Sequence, residues 1–262
     1  MPISVDVAFG NILLYLLVFA RLAGMIGFNP IFSRTGVSYR VRAGLVFFMT
    51  ALLAPGQTAA VGAAVYNMNA FQFAFAVAFE LGIGLVLGFV FQIFSMMLFY
   101  AGDIIDQDIG LAMAKSFDPG ANIQTGFTSS VLNTIFFLYI FVTGSHLTLL
   151  HIFAQTFTAV EVGSFRFSVP IISFIIRLFV DVFVLVLRLV APFMVAEFAL
   201  QACLGMLMRF VPQISIFVIN FQMKVGLGLI MLMVFAPFIG TFITQYVESL
   251  MDALVRTVEL LA

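Results

Sequence analysis

Two histidines, one cysteine and a cluster of acids are the residues of this 262-residue chain that could do chemistry, and their spacing limits what they can do. His146 and His151 are five apart, about 140° around a helix, so they do not converge on one metal ion or one substrate. Cys203 sits in the apolar run Phe198 to Met208. One thiol makes neither an internal disulfide nor a cysteine-based metal site, and Cys203 reads as a small buried residue. The acids Asp103, Asp106, Asp108 and Asp118 lack the order and closing glutamate of a calcium loop. Neither His-Glu-x-x-His, Gly-x-Ser-x-Gly nor a phosphate loop occurs. The sequence therefore predicts no catalytic residue, no cofactor and no metal. His146, just after Gly144, reads as a hydrogen-bonded structural histidine rather than a ligand.

More informative are charges in apolar surroundings. Arg177, Asp181 and Arg188 fall within about 40° of one another on a helix and form one polar stripe. Each central charge costs about 2.5 to 3.5 kcal/mol to insert, which nearly cancels the apolar content of the segment. The Arg177 and Asp181 pair at i,i+4 lowers that cost, and the second arginine still wants an acid or carbonyl from elsewhere. The stripe is expected to face protein or water. A substrate or proton path and an assembly contact both fit it, and assembly is favoured. Arg21, Glu80, Glu197 and Lys224 lie in apolar segments with no opposite charge three or four residues away, so their partners are distant in sequence or in another chain.

The elements that carry these residues follow from composition. Hydrophobic residues are 63% of the chain and charged residues 9%, against roughly half and a quarter in a soluble domain. A formal charge of -1 leaves no basic excess for nucleic acid. Stretches of about 20 apolar residues can cross a bilayer. Six emerge: about Val7 to Gly27, Ala43 to Ala54, Phe71 to Ala101, Phe127 to Thr158, Pro170 to Met208 and Pro212 to Tyr246. The second is short and stops at Pro55. Pro192 and Pro237 are expected to kink the last two. Gly84 and Gly88 form a small-xxx-small pair that permits close helix approach. Residues Glu248 to Ala262 read as an amphipathic helix on a surface or a partner, with Leu250, Leu254 and Val258 opposite Asp252, Arg256 and Glu259. Met1 to Asp6 lacks the basic start of a cleaved signal peptide, so the first helix is expected to be retained. Arg34, Arg40, Arg42, Lys115 and Arg209 on one side, against Arg166 and Arg256, favour an external amino terminus. The whole reads as one all-α, polytopic membrane domain of about six long, partly kinked helices. Its most polar stretch, Gly102 to Gly126, holds scattered apolar residues and suits a plug or gate folded into a protein cavity.

The order of motifs carries a resemblance. Arg21-Leu-Ala-Gly-Met-Ile-Gly-Phe-Asn-Pro30-Ile-Phe-Ser33, with Arg40-Val-Arg-Ala-Gly-Leu45 and Pro55, resembles the opening of the FliR family, the flagellar export-gate subunit related to the SctT subunit of injectisomes. Gly102-Asp103-x-x-Asp106-Gln107-x-x-Gly110, followed by Asp118-Pro119, looks like its central loop motif. Gly144-Ser-His146, Pro192 and Arg209-Phe-Val-Pro212-Gln213 match later blocks, while Ser38 stands where the family has proline.

The resemblance implies a non-catalytic core subunit of the flagellar type III export gate, in the bacterial inner membrane at the flagellar basal body. It implies assembly with FliP-like, FliQ-like, FlhB-like and FlhA-like proteins, and export of unfolded flagellar proteins. It places a pore plug on Asp106, Gln107, Gly110, Leu111, Met113, Lys115, Phe117, Asp118 and Pro119. An injectisome subunit of the same family is the near alternative. From other classes come a lone secondary transporter or channel, using Arg177, Asp181, Arg188 and Glu197, and a weaker membrane enzyme using His146.

Overall fold

The computed structural model describes residues 5–33, 37–66, 68–111, 126–163, 169–210 and 216–262. Arg34, Met113, Lys115, Phe117, Asp118, Pro119, Arg166, Pro212 and Gln213 lie outside the described residues. The described residues form helices and no strand: α1 (Val5–Gly27), α2 (Pro30–Ser33), α3 (Tyr39–Tyr66), α4 (Ala70–Asp108), α5 (Phe127–Val142), α6 (Ser145–Ala159), α7 (Val169–Phe210) and α8 (Ile216–Leu261). Among them, α4, α7 and α8 are long and apolar enough to cross a membrane. Counting the broken pair α5 and α6 as one span makes four. This is an all-α membrane protein.

Several boundaries depart from the sequence reading. α3 does not stop at Pro55 but continues for eleven residues to Tyr66. Proline removes one backbone bond, and the alanines at 59, 60, 63 and 64 favour continuing the helix. α4 runs through Asp108, so Gly102 to Asp108 is helix, not loop. The segment expected to end near Tyr246 and the separate terminal helix are one element, because neither glycine nor proline follows Gly240. Conversely, the fourth segment is broken at Gly144, whose φ of 74° places it in the left-handed region that glycine alone occupies at little cost.

The chain divides into two compact units. The first comprises Met1–Ile93, Gly144–Leu178 and Ser249–Ala262. Here α1 and α4 touch backbone to backbone: a Cβ on Gly24 would lie 2.6 Å from Leu81 O, and one on Gly84 would overlap Arg21 O. Gly88, the other half of the small-residue pair, faces Phe28 in the same seam. The amphipathic end of α8 also belongs to this unit. Leu250, Leu254 and Val258 are buried, Asp252 and Glu259 are exposed, and the Arg256 guanidinium lies 5.7 Å from the Phe174 ring. Its apolar face is therefore covered by its own chain.

The second unit comprises Phe94–Thr143 and Phe179–Glu248. Tyr246 is its hub. Fully buried, it meets Phe94 at 5.1 Å edge to face and Phe242 at 5.4 Å stacked, and its hydroxyl donates to Phe94 O at 2.8 Å. A buried phenol with such a partner leaves no orphaned donor.

Candidate functional site

Gly102, Asp103 and Asp106 sit in the last two turns of α4, and Gly126 is the N-cap of α5 without a side-chain cap of its own. The missing cap comes from α4. Both carboxylate oxygens of Asp106 accept the Thr128 N–H at 3.0 Å, and Asp103 Oδ1 accepts the Ser129 hydroxyl at 3.0 Å. Negative charge at a helix N-terminus satisfies free amides and complements the helix dipole. Asp106 is only 1% exposed, so this anchor is shielded from solvent. Gly102 lets α5 approach, since a Cβ there would overlap the Ser129 backbone. Gly126 has the same role, since a Cβ there would strike Asp106 Oδ2.

One turn later the chain leaves α4. Ile109 is buried against Gly228 of α8, where any Cβ would overlap it, and Gly110 turns with φ 78°. A Cβ on Gly110 would lie 3.7 Å from Lys224 Cβ. Lys224 is itself fixed, its Nζ 2.5 Å from Glu197 Oε1, which also accepts from Gln201 Nε2 at 2.9 Å. The chain thus leaves the described residues packed on α8 through Ile109 and Gly110, and re-enters them at Gly126 on the Asp103 and Asp106 anchor. Gln107 is exposed and Leu111 half-buried. Asp106 is a correction to the plug as read from sequence: it is a buried helix cap in α4, not a loop residue. The signal was present, because Asp103 and Asp106 are three apart and share one helix face ahead of the uncapped start at Gly126.

The first unit holds a second charge centre. Arg21 and Glu80 are 0% and 1% exposed and join through Arg21 Nε to Glu80 Oε2 at 2.5 Å and Nη2 to Oε1 at 3.1 Å. Arg21 Nη1 donates to Thr156 O at 2.8 Å and Val160 O at 3.0 Å, closing the C-terminal end of α6. Glu80 Oε1 also accepts the Gly163 N–H at 2.7 Å, and the guanidinium lies 4.7 Å from the Phe157 ring. The planar fork of arginine permits this many directed bonds at once.

The stripe on α7 behaves differently. Arg177, Asp181 and Arg188 are all exposed, and among the described residues none forms an ion pair. The i,i+4 pair expected to soften the insertion cost is absent. Arginine preceding the acid is the weaker orientation for such pairs. Around them Ile176, Val180, Phe183, Val184 and Leu187 are exposed as well, whereas Glu197 is 6% exposed on another face of the helix.

The remaining candidates are scattered. Pro30 opens α2 and Ser33 closes it; Pro192 lies inside α7, and Arg209 is exposed in its last turn. His146 is half-buried in the first turn of α6, while His151 is exposed and hydrogen-bonds Gln155 at 3.1 Å. Cys203 is exposed, contrary to expectation, because the end of α7 presents side chains of every kind outward. Among the described residues, no three His, Cys, Asp or Glu side chains converge as metal ligands.

Residues 12–250 match the bacterial export proteins, family 1. The flagellar biosynthetic protein FliR of Buchnera aphidicola is 31% identical over 169 residues, 64% of this chain and 65% of that protein. FliR of Escherichia coli is 26% identical over 241 residues, 92% of this chain and 91% of that protein. The Yop proteins translocation protein T of Yersinia pestis is 28% identical over 171 residues, 64% of this chain and 66% of that protein.

Proposed function

Because this chain belongs to the bacterial export proteins of family 1, we propose that it is a non-catalytic core subunit of the flagellar type III protein export gate. The flagellar reading rests on extent: E. coli FliR matches 92% of the chain, the Yersinia translocation protein 64%. The single observation that carries the subunit reading is the α7 face, where three unpaired charges stand exposed among apolar side chains. A lone bundle in lipid would leave those charges in hydrocarbon, whereas partner helices can supply counter-charges. FliP-like and FliQ-like subunits are the proposed neighbours, with FlhB-like and FlhA-like proteins in the same machine of the bacterial inner membrane.

The gate function belongs to one domain, residues 1–262, and within it to the doubly anchored segment after α4. Asp106 with Asp103 holds the α5 end, and Ile109 with Gly110 holds the α8 side, so Leu111, Met113, Lys115, Phe117, Asp118 and Pro119 form the plug between fixed points, while Gln107, like Asp106, belongs to α4. Methionine and phenylalanine close a channel with adaptable apolar packing, and unfolded flagellar proteins pass when it opens. No bond is made or broken by this chain.

Co-expression with FliP-like and FliQ-like subunits, extraction in mild detergent and mass determination test the reading. A stable complex far above 28.8 kDa that is lost when the partners are omitted is expected. A well-behaved particle of this chain alone would overturn it and return the α7 stripe to a transporter path.

A further inference from the structure

We infer that the apolar groove between α1 and α3 holds an acyl chain of an anionic phospholipid whose headgroup meets Arg40. Ile12, Leu16 and Phe19 of α1 and Phe47 and Ala51 of α3 line an open cavity of about 460 Å3, within the size range of small-molecule sites. Phe19 and Phe47 flank the groove from its two sides with ring centroids 5.0 Å apart. Thr50 also lines the groove, but its hydroxyl donates back to Val46 O at 2.7 Å and is spent within the helix. Apart from the Tyr15 phenol, the lining is hydrocarbon and selects a hydrocarbon occupant.

The charge lies in line with the groove. At about 100° per residue, Phe47 and Ala51 each sit within roughly 20° of Arg40 around α3. The rise from Arg40 to Ala51 is about 16 Å, close to half of the roughly 30 Å hydrocarbon layer, so the groove matches the depth of one leaflet. Arg40 is exposed, leans 5.8 Å from the ring of the equally exposed Tyr39, and among the described residues forms no ion pair. A tyrosine and a basic residue at the end of an apolar helix suit the headgroup layer. A helix from a partner would have to bring an acid to that exposed helix end as well as an apolar face, whereas an anionic phospholipid carries both. One basic side chain at the membrane surface favours an anionic lipid by about five-fold.

The test uses the full chain purified in mild detergent with its co-expressed partner subunits, titrated with phosphatidylglycerol or phosphatidylcholine and read by native mass spectrometry. Phosphatidylglycerol is expected to be retained about five-fold over phosphatidylcholine. Arg40→Gln removes that preference, and Ala51→Phe, which fills the groove from an exposed position, reduces retention of both lipids. Both substitutions leave the helical circular dichroism spectrum unchanged. Equal retention of the two lipids, or a preference that survives Arg40→Gln, overturns the inference. So does an Ala51→Phe chain that keeps its lipid but loses its co-expressed partner subunits, which would make the groove a subunit seat.

Discussion

At the scale of single residues, the Arg21 and Glu80 centre shows what sequence spacing could and could not say. The absence of a local counter-charge was legible, and it required distant partners. That the partner is Glu80, 59 residues away, was not, because the pairing depends on Gly24 and Gly84 bringing two backbones into contact. Arg21→Ala leaves the Glu80 carboxylate buried without its cation, which costs about 3–5 kcal/mol. The measurement is thermal unfolding in detergent. Replacing both partners, as Arg21→Met with Glu80→Leu, is expected to recover part of the loss, since a buried pair is often exchangeable for apolar packing. The recovery stays incomplete because Thr156 O, Val160 O and Gly163 N lose their partners too. Single and double variants of equal stability would contradict this.

At the scale of elements, helices were legible wherever apolar runs were long, and their ends were misread where polarity had a structural use. Asp103 and Asp106 made the end of α4 look like loop, although those carboxylates cap α5. The amphipathic stretch after Glu248 announced a covered apolar face, and periodicity alone could not say that the cover is the same chain. Truncation after Glu248 removes the buried Leu250, Leu254 and Val258. At about 1.5–3 kcal/mol for each buried side chain, the shortened protein should become markedly protease-sensitive in detergent. An unchanged digestion pattern would mean the helix end lies idle. Deleting residues 111–117 keeps the anchors at Asp106 and Ile109, so the assembled gate should form normally and leak ions when closed. An intact complex with no added ion conductance in liposomes would remove the plug from this segment.

For the whole molecule, composition fixed the class, and the order of motifs supplied the family. Neither showed which charges the chain satisfies for itself. Arg21 with Glu80 and Glu197 with Lys224 are settled internally, while Arg177, Asp181 and Arg188 are left outward. Asp181→Ala makes that face purely cationic. Recovery of the complex from co-expressing cells should fall, with the helix content of the complex that is still recovered unchanged by circular dichroism. Undiminished recovery would detach the stripe from assembly.

The pairing of Arg21 with groups far along the chain also bears on how the protein is made. Arg21 leaves the ribosome 59 residues before Glu80 and 135 before Thr156. At about 5–20 residues per second, the acid follows by roughly 3–12 s and the carbonyl by longer still. During that interval α1 carries an arginine worth about 2.5–3.5 kcal/mol against entering lipid. The twelve Leu, Ile, Phe and Val side chains of α1, at about -0.3 to -0.6 kcal/mol each, outweigh that cost, so the first helix enters with its arginine unpaired and the ion pair closes only when α4 brings the carboxylate.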